Sequence, residues 1–452
     1  MSSETSSLSW IRLAAACCCA SLVLLAGCRT HAKQLKSLRT AYYSNKLDEA
    51  ATLADQEIKR RAADADVLKL ERAMIDLSVG RAKQAETVLR EVRDHFDAYE
   101  QQDLGESALS YLADDNKRAY PGEDYERVLI RCFLALSNLM HDGTDATAYA
   151  LQVGQKQEQI MLAAGQDATK NPKLRYKRVA LGAYLHGALQ EATHRNYDDV
   201  ARSIQLVVNW EPQFKFGQQD LERATHGRHS APGHGVLYVV TLVGRGPFKE
   251  ERAERATSDA LLIADRIFSA VGKHSLPPTL APIKMPIVCR SPSRIGTVKV
   301  AIDGQAVGQT ETITDVGQMA VDQFEAIKSE IMARAIVRRV VKKGAIYAAK
   351  EAAKVEHPLA ELALDGVGVA WEATESADTR CWGLLPDKIQ VLRLELPAGP
   401  HQLSLRAGTT SAAIGPEATE RVQIIDGRNS YVLATFPDER LIGSVVTNRH
   451  DE

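Results

Sequence analysis

The 452-residue chain lacks an excess of either charge: 56 basic residues stand against 58 acidic ones, a formal net charge of −2. That balance offers no bulk attraction for nucleic acid, so binding must come from local surfaces. Cysteine is scarce once the amino terminus is passed. Four of the seven cysteines fall within the first 28 residues, and Cys132, Cys289 and Cys381 are scattered with no CxxC spacing. At most one disulfide is possible and no zinc framework is visible. Cys132, between Arg131 and Phe133, reads as core; Cys381, flanked by Arg380 and Trp382, is the least safe to read as inert. Catalytic signatures are missing too: there is no GxSxG, HExxH or Walker motif. No catalytic residue, metal or cofactor is therefore assigned, and the sequence points away from an enzyme. The apolar run Leu13–Leu25 is shorter than the ~20 residues of a membrane-spanning helix.

What is present begins at that run. It closes on Leu25-Ala26-Gly27-Cys28, which resembles the processing site of bacterial lipoproteins. The resemblance implies that residues 1–27 are a signal peptide, that the Cys28 thiol receives a diacylglycerol, and that the mature chain starts, acylated, at Cys28. Several acyl chains at ~0.8 kcal/mol per buried methylene hold a protein firmly on a membrane. Arg12 is the only basic residue ahead of the run and Glu4 offsets it, so a plain secretory signal or an unprocessed anchor stays open. The expected location is the bacterial cell envelope, lipid-anchored and facing the periplasm. Arg29 stands where an inner-membrane-retaining Asp would be, which favours the outer membrane.

From residue 28 to about 225 the pattern is helical and repetitive. A Gly or Asn is followed five residues later by Ala: Asn45 and Ala50, Gly80 and Ala85, Gly143 and Ala148, Asn196 and Ala201. Gly or Asn suits the left-handed residue after a helix, and Ala lets the next helix pack closely. The first two units lie 35 residues apart, near the tetratricopeptide (TPR) period, whereas the later gaps of 63 and 53 do not fit. The expectation is a degenerate TPR-like array, with a generic helical bundle as the fallback. Such an array stacks into a solenoid with a concave surface for a protein or peptide.

Within it, Tyr120–Val128 reads YPGEDYERV: a Pro-Gly turn, then acidic residues where a helix start favours them. The bland reading is an acidic helix start; the sharper one is a binding site on Glu123, Asp124, Glu126 and Arg127. This segment, with GHGVLYVVTLVGRGPFKEE (Gly233–Glu251), DTRCWGLLPDKIQ (Asp378–Gln390) and LPAGPHQLSL (Leu396–Leu405), resembles a family of bacterial envelope lipoproteins with TPR-like amino-terminal halves. The resemblance implies the lipid anchor and the domain order. It carries over no activity and no catalytic residue.

Beyond Asp220 the pattern changes. His226, His229 and His234 lie in a Gly-rich linker without a neighbouring carboxylate or Cys, so a solvated linker is preferred to a metal site. Val236–Val243 reads as a buried strand. After it, Gly244-Arg245-Gly246-Pro247 suggests the start of a nucleotide site, but the third glycine is absent and Pro247 removes an amide. A helix is expected over Lys249–Val271. Strands are expected over Ile283–Cys289 and Thr297–Ile302, a long helix over 317–353, and a second helix from Leu359 to about Ser376. Arg334, Arg338, Arg339, Lys342 and Lys343 put five positive charges within ten residues of the long helix. They form either a solvated face or a contact with anionic headgroups. Four further strands, Ile389–Leu396, His401–Ala407, Glu420–Ile425 and Tyr431–Phe436, close the chain.

The fold class expected is therefore multi-domain: an all-α TPR-like domain (28–225), an α+β domain (236–376) and a small β-sandwich-like module (377–445). The function expected is a lipid-anchored periplasmic scaffold whose helices hold a protein or peptide partner, with no nucleic acid. The alternative is an envelope enzyme or small-molecule receptor with a cleft between the halves, lined by the YPGEDYER segment and Arg245.

Overall fold

A computed structural model describes residues 31–103, 119–271, 282–352 and 376–448 except 164 and 168. The amino-terminal half is helical: α1 (Lys36–Tyr43), α2 (Leu47–Arg60), α3 (Ala65–Ser78), α4 (Ala82–Asp103), α5 (Asp124–Leu139), α6 (Ala146–Leu162), α7 (Ala180–Glu191), α8 (Tyr197–Trp210) and α9 (Gly217–Thr225). Each packs on the helix before it and the helix after it. The turns carry the predicted backbone. Asn45, Gly80, Gly143 and Asn196 all take left-handed φ values, 59°, 80°, 71° and 53°, which reverse the chain between consecutive helices. The alanines follow less uniformly. Ala50 and Ala85 are fully buried and Ala201 is half-buried, but Ala148 is exposed and Ala146 fills the contact instead. After Gly143 the helix thus meets its neighbour two residues earlier than the spacing predicts.

The carboxy-terminal half is rich in sheet. Its first strands are β1 (His234–Val243), β2 (Phe248–Glu254), β3 (Ile283–Cys289), β4 (Thr297–Ile302), β5 (Gln305–Gln309) and β6 (Glu311–Asp315). The second group is β7 (Lys388–Pro397), β8 (Gly399–Gly408), β9 (Ala413–Ile424), β10 (Asn429–Phe436) and β11 (Ile442–Thr447). A five-stranded sheet has the order β11-β10-β1-β7-β6 and a four-stranded sheet the order β5-β4-β8-β9; β2 and β3 form a separate ribbon. β1 runs parallel to β10 and antiparallel to β7.

The unbroken apolar run of β1 is explained by its two faces. Side chains alternate along a strand. Leu237, Val239 and Val243 point into a core shared with Val298, Val300, Leu403 and Leu405 of the four-stranded sheet, so the two sheets make a sandwich. Val236, Tyr238, Val240 and Leu242 belong to the larger core that also contains the helices. A strand covered on both faces has no polar side to show in its sequence.

Three expectations change. Phe248–Glu254 is a strand, not the start of a helix, and the helix (α10) spans only Ser258–Val271. Its KEERAE sequence pairs with β3 as a ribbon whose outer residues are solvated. The division at 376/377 does not separate the sheets, because β1 and β6 share one with β7, β10 and β11, while β4 and β5 share the other with β8 and β9. Short strands β5, β6 and β11 also join them. The long helix (α11, Val316–Ala352) lies within a residue of its expected bounds, whereas the helix expected from Leu359 to about Ser376 falls almost wholly outside the described residues. Among the described residues no helix is long and apolar enough to cross a membrane.

Candidate functional site

The two segments richest in signature residues, YPGEDYERV and DTRCWGLL, meet in space. Glu123 caps α5 in a reciprocal capping box with Glu126, and this fixes the Glu126 carboxylate inside the molecule, where it is fully buried. Its Oε1 accepts the Trp382 amide at 2.7 Å and the Tyr125 hydroxyl at 3.2 Å. Oε2 accepts the Tyr120 hydroxyl at 2.6 Å and the Glu123 amide at 3.2 Å. On α3, Glu71 is also fully buried. It accepts the Gly383 amide at 3.1 Å, the Leu384 amide at 2.8 Å and Arg39 of α1 at 2.9 Å. Three successive backbone amides are thus taken up by two carboxylates from two helices. A buried N–H otherwise satisfied by strand or helix is here satisfied by side chains.

Around this pair the segment is gripped at both ends. Trp382 has no exposed surface, and its ring lies 5.3 Å from that of Phe133 on α5. Arg380 pairs with Asp378 at 2.7 Å and with Asp64 at 3.3 Å, and its guanidinium sits 5.2 Å from the centre of the Tyr120 ring. The Ala377 amide donates to Glu251 of β2 at 2.7 Å, and buried Lys249 of the same strand pairs with Glu123. Tyr43 donates from its hydroxyl to the Gly383 carbonyl at 3.3 Å.

The electrostatics follow from burial. Desolvation, with the charge of Glu123 next to it, pushes the Glu126 carboxyl up to about 7, against the pull of its hydrogen bonds. Desolvation works against the charge on Arg39, yet Glu71 beside it holds the guanidinium above its ordinary value. Cys381 is buried and its thiol is pushed up to about 11 by desolvation, so it is no ready nucleophile. Burial raises Cys132 to about 12 in the same way.

The predicted candidates are distributed as follows. Glu123 and Glu126 hold the clamp. Asp124 is engaged by Lys173 at 2.7 Å and Tyr176 at 3.2 Å, while Arg127 donates to the Pro121 carbonyl at 3.0 Å. Arg245 stacks over Tyr43 at 4.2 Å and pairs with Asp438 at 2.6 Å. Asp124 also lines a small pocket with Gln157, Tyr176 and Gln323, while Arg245 lies apart from the YPGEDYERV residues on Tyr43 and Asp438. Gly246 lies hard against the Leu385 carbonyl, so close backbone packing accounts for it. Of the basic residues on α11, Arg334 is exposed, Arg338 is half-buried, and Arg339 is buried with its guanidinium on the Pro282 carbonyl at 2.9 Å. Arg339 therefore cannot join a membrane-facing set. The side chains of Lys342 and Lys343, and Cys28 altogether, lie outside the described residues. His226, His229 and His234 turn to separate partners: the Glu222 carbonyl, Asn429 and the Pro232 carbonyl. Among the described residues no cluster of His, Cys, Asp or Glu has the arrangement of a metal site.

Sequence reasoning missed Arg39, Glu71 and Lys249. Glu71 did leave a signal, because it occupies the inward stripe of α3 between Leu68 and Ile75, where an apolar residue belongs. It missed a polar cleft as well. This cavity of about 600 Å³ opens where the α5–α6 turn (His141, Asp142), the α7–α8 turn (His194) and the β9–β10 turn (Asp426, Arg428) converge.

Comparison with family models, curated proteins and solved structures returns no match to the chain.

Proposed function

We propose that this chain is a lipid-anchored scaffold of the bacterial cell envelope, built on a degenerate TPR-like solenoid and held to the membrane through Cys28. The observation that carries the reading is the clamp. Glu71 and Glu126 take the amides of a through-running peptide, residues 382–384, between helices. These bonds tie the helical array to the segment that leads into the sheets. The consequence is a stiff body whose remaining surfaces are presented rather than remodelled. Packing of each helix on those before and after it, together with four left-handed turns, supports the solenoid reading. Cys28 lies three residues before His31, so the chain keeps its Cα within about 11 Å of that of His31.

The partner surface is the groove of about 460 Å³ between α2, α3 and α4, where Ile58 and Val88 lie among Asp55, Lys69, Arg72 and Glu91. Lys69 pairs with Glu91 at 2.9 Å and Arg72 with Asp55 at 3.1 Å, so it suits a peptide carrying both signs of charge. The test uses two variants in cells. Cys28→Ala should lose fatty-acid labelling and leave the membrane fraction, and Asp55→Lys with Glu91→Lys should lose crosslinked partners while keeping its melting temperature. Unlabelled wild-type protein, or an unchanged crosslinking pattern in the double variant, would overturn the anchor or the surface respectively.

A further inference from the structure

The cleft at the three converging turns has a chemistry of its own, independent of the scaffold reading. Its mouth is set by backbone that cannot readily shift: Gly143, His194 and Gly427 hold φ values of 71°, 56° and 68°, and His194 donates from its Nε2 to the Gly427 carbonyl at 2.6 Å. His194 is further fixed by His229, whose ring lies 4.8 Å away. Asp142 accepts the Thr144 amide at 3.0 Å and the Asn138 side-chain amide at 3.0 Å, and Asn138 is itself held by the Asp145 amide at 2.9 Å. Asp426 accepts the Gly233 amide at 2.9 Å. These groups are therefore preset, while Arg428 lines the cleft with an exposed side chain. The floor is Leu139, Leu189 and Ala192.

Charge decides the ligand class. Two carboxylates against one arginine, with two histidines, repel a phosphate or other polyanion, and Arg428 with the histidines disfavours a polycation. A purely apolar ligand would strand the polar rim. What remains is a neutral molecule with many donors and acceptors. A peptide would look for a free strand edge or apolar side-chain pockets, and the rim instead offers flat two-pronged groups, Asp, Asn, His and Arg, suited to adjacent hydroxyls. We infer that this cleft binds a neutral glycan, with Arg428, Asp142 and His194 making the direct hydrogen bonds and the Leu139–Leu189 floor taking the C–H face of a sugar ring.

The detergent-solubilised full-length protein is titrated calorimetrically with three neutral tetrasaccharides, chitotetraose, cellotetraose and maltotetraose, and with tetraglycine and inorganic phosphate. Two variants are compared: Arg428→Ala, which removes only an exposed side chain, and Ala192→Trp, which fills the floor without touching a polar group. The expected result is saturable binding of at least one tetrasaccharide, weakened about tenfold or more by Arg428→Ala and lost in Ala192→Trp, with melting temperatures unchanged. Absence of binding to all three sugars, sugar binding insensitive to both variants, or binding of tetraglycine or phosphate in their place would each overturn it. If Ala192→Trp fails to fold, the Arg428→Ala titration decides alone.

Discussion

At the residue scale, the clamp concentrates more of the structure on a few side chains than their number suggests. Trp382 is the anchor: its ring is fully buried against Phe133, and the three amides that the carboxylates take up start at its own nitrogen. Trp382→Ala empties a space that α3 and α5 cannot close, and should cost about 3–5 kcal/mol in a urea titration; a loss under about 1 kcal/mol would mean that the segment is peripheral. Glu126 gives a second test through pH. Its carboxyl lies near 7 in the folded protein against an ordinary 4.5, because burial and the neighbouring Glu123 charge disfavour ionisation. The folded chain therefore holds this proton more tightly than the unfolded chain does. The stabilisation is full below about 4.5 and lost as pH rises through about 7, a swing of about 3 kcal/mol. Glu126→Gln keeps an acceptor for the Trp382 amide and lets the Tyr120 hydroxyl turn to receive its new donor, while the bond from the Glu123 amide is lost at every pH. The variant should show a flatter decline of stability between about pH 5 and 8 than the wild type. Parallel pH profiles would remove Glu126 as the titrating group.

At the scale of elements, the turns between helices are also docking points for the sheet. Gly80 faces Ser444, and the Gly443 amide donates to Asn45 Oδ1 at 2.8 Å. Gly443 itself has a φ of 72°, and a Cβ there would collide with the Ser78 carbonyl at the end of α3. Gly143 has nearly the same φ, 71°, but open space around it. Gly143→Ala should thus cost only the left-handed strain, about 1–2 kcal/mol, whereas Gly443→Ala should cost clearly more and loosen β11 from the α3–α4 turn. Equal losses in thermal melts of the two variants would show that the contact with Ser78 yields freely. The same elements explain what could be read from sequence. Asn45, Gly80, Gly143 and Asn196 were legible because backbone handedness is a local property. β1 and α11 were legible because their apolar patterns are long. β2 was not, since KEERAE carries no strand pattern and is held by pairing with β3. Nor was the clamp, whose partners Glu71, Glu126 and Trp382 are brought together only by packing across more than half the chain.

At the scale of the whole molecule, helices and sheets do not have separate cores. One continuous apolar cluster runs from Leu38 of α1 through Phe133 and Leu185 to Trp382, Tyr431 and Val446, and it is crossed by a second buried network. In that network Glu191 of α7 binds Arg223 at 2.8 Å and the Tyr238 hydroxyl of β1 at 3.2 Å, with Arg393 of β7 at 3.6 Å. Breaking one partner of such a network leaves an uncompensated buried charge, which costs several kcal/mol. The sandwich core between the sheets is distinct, but its strands β1, β7 and β10 also line the helical side. Neither half can therefore lose its structure without exposing the other. Heating should give a single cooperative transition, with the calorimetric and van't Hoff enthalpies equal and helical circular dichroism coinciding with the loss of Trp382 burial. A first transition that removes helical signal while Trp382 stays buried would show that the clamp belongs to the sheets alone. In the single-transition case, Glu71, Glu126 and Glu191 tie the helices to the sheets at separate points among the described residues, which is the coupling the proposed scaffold requires.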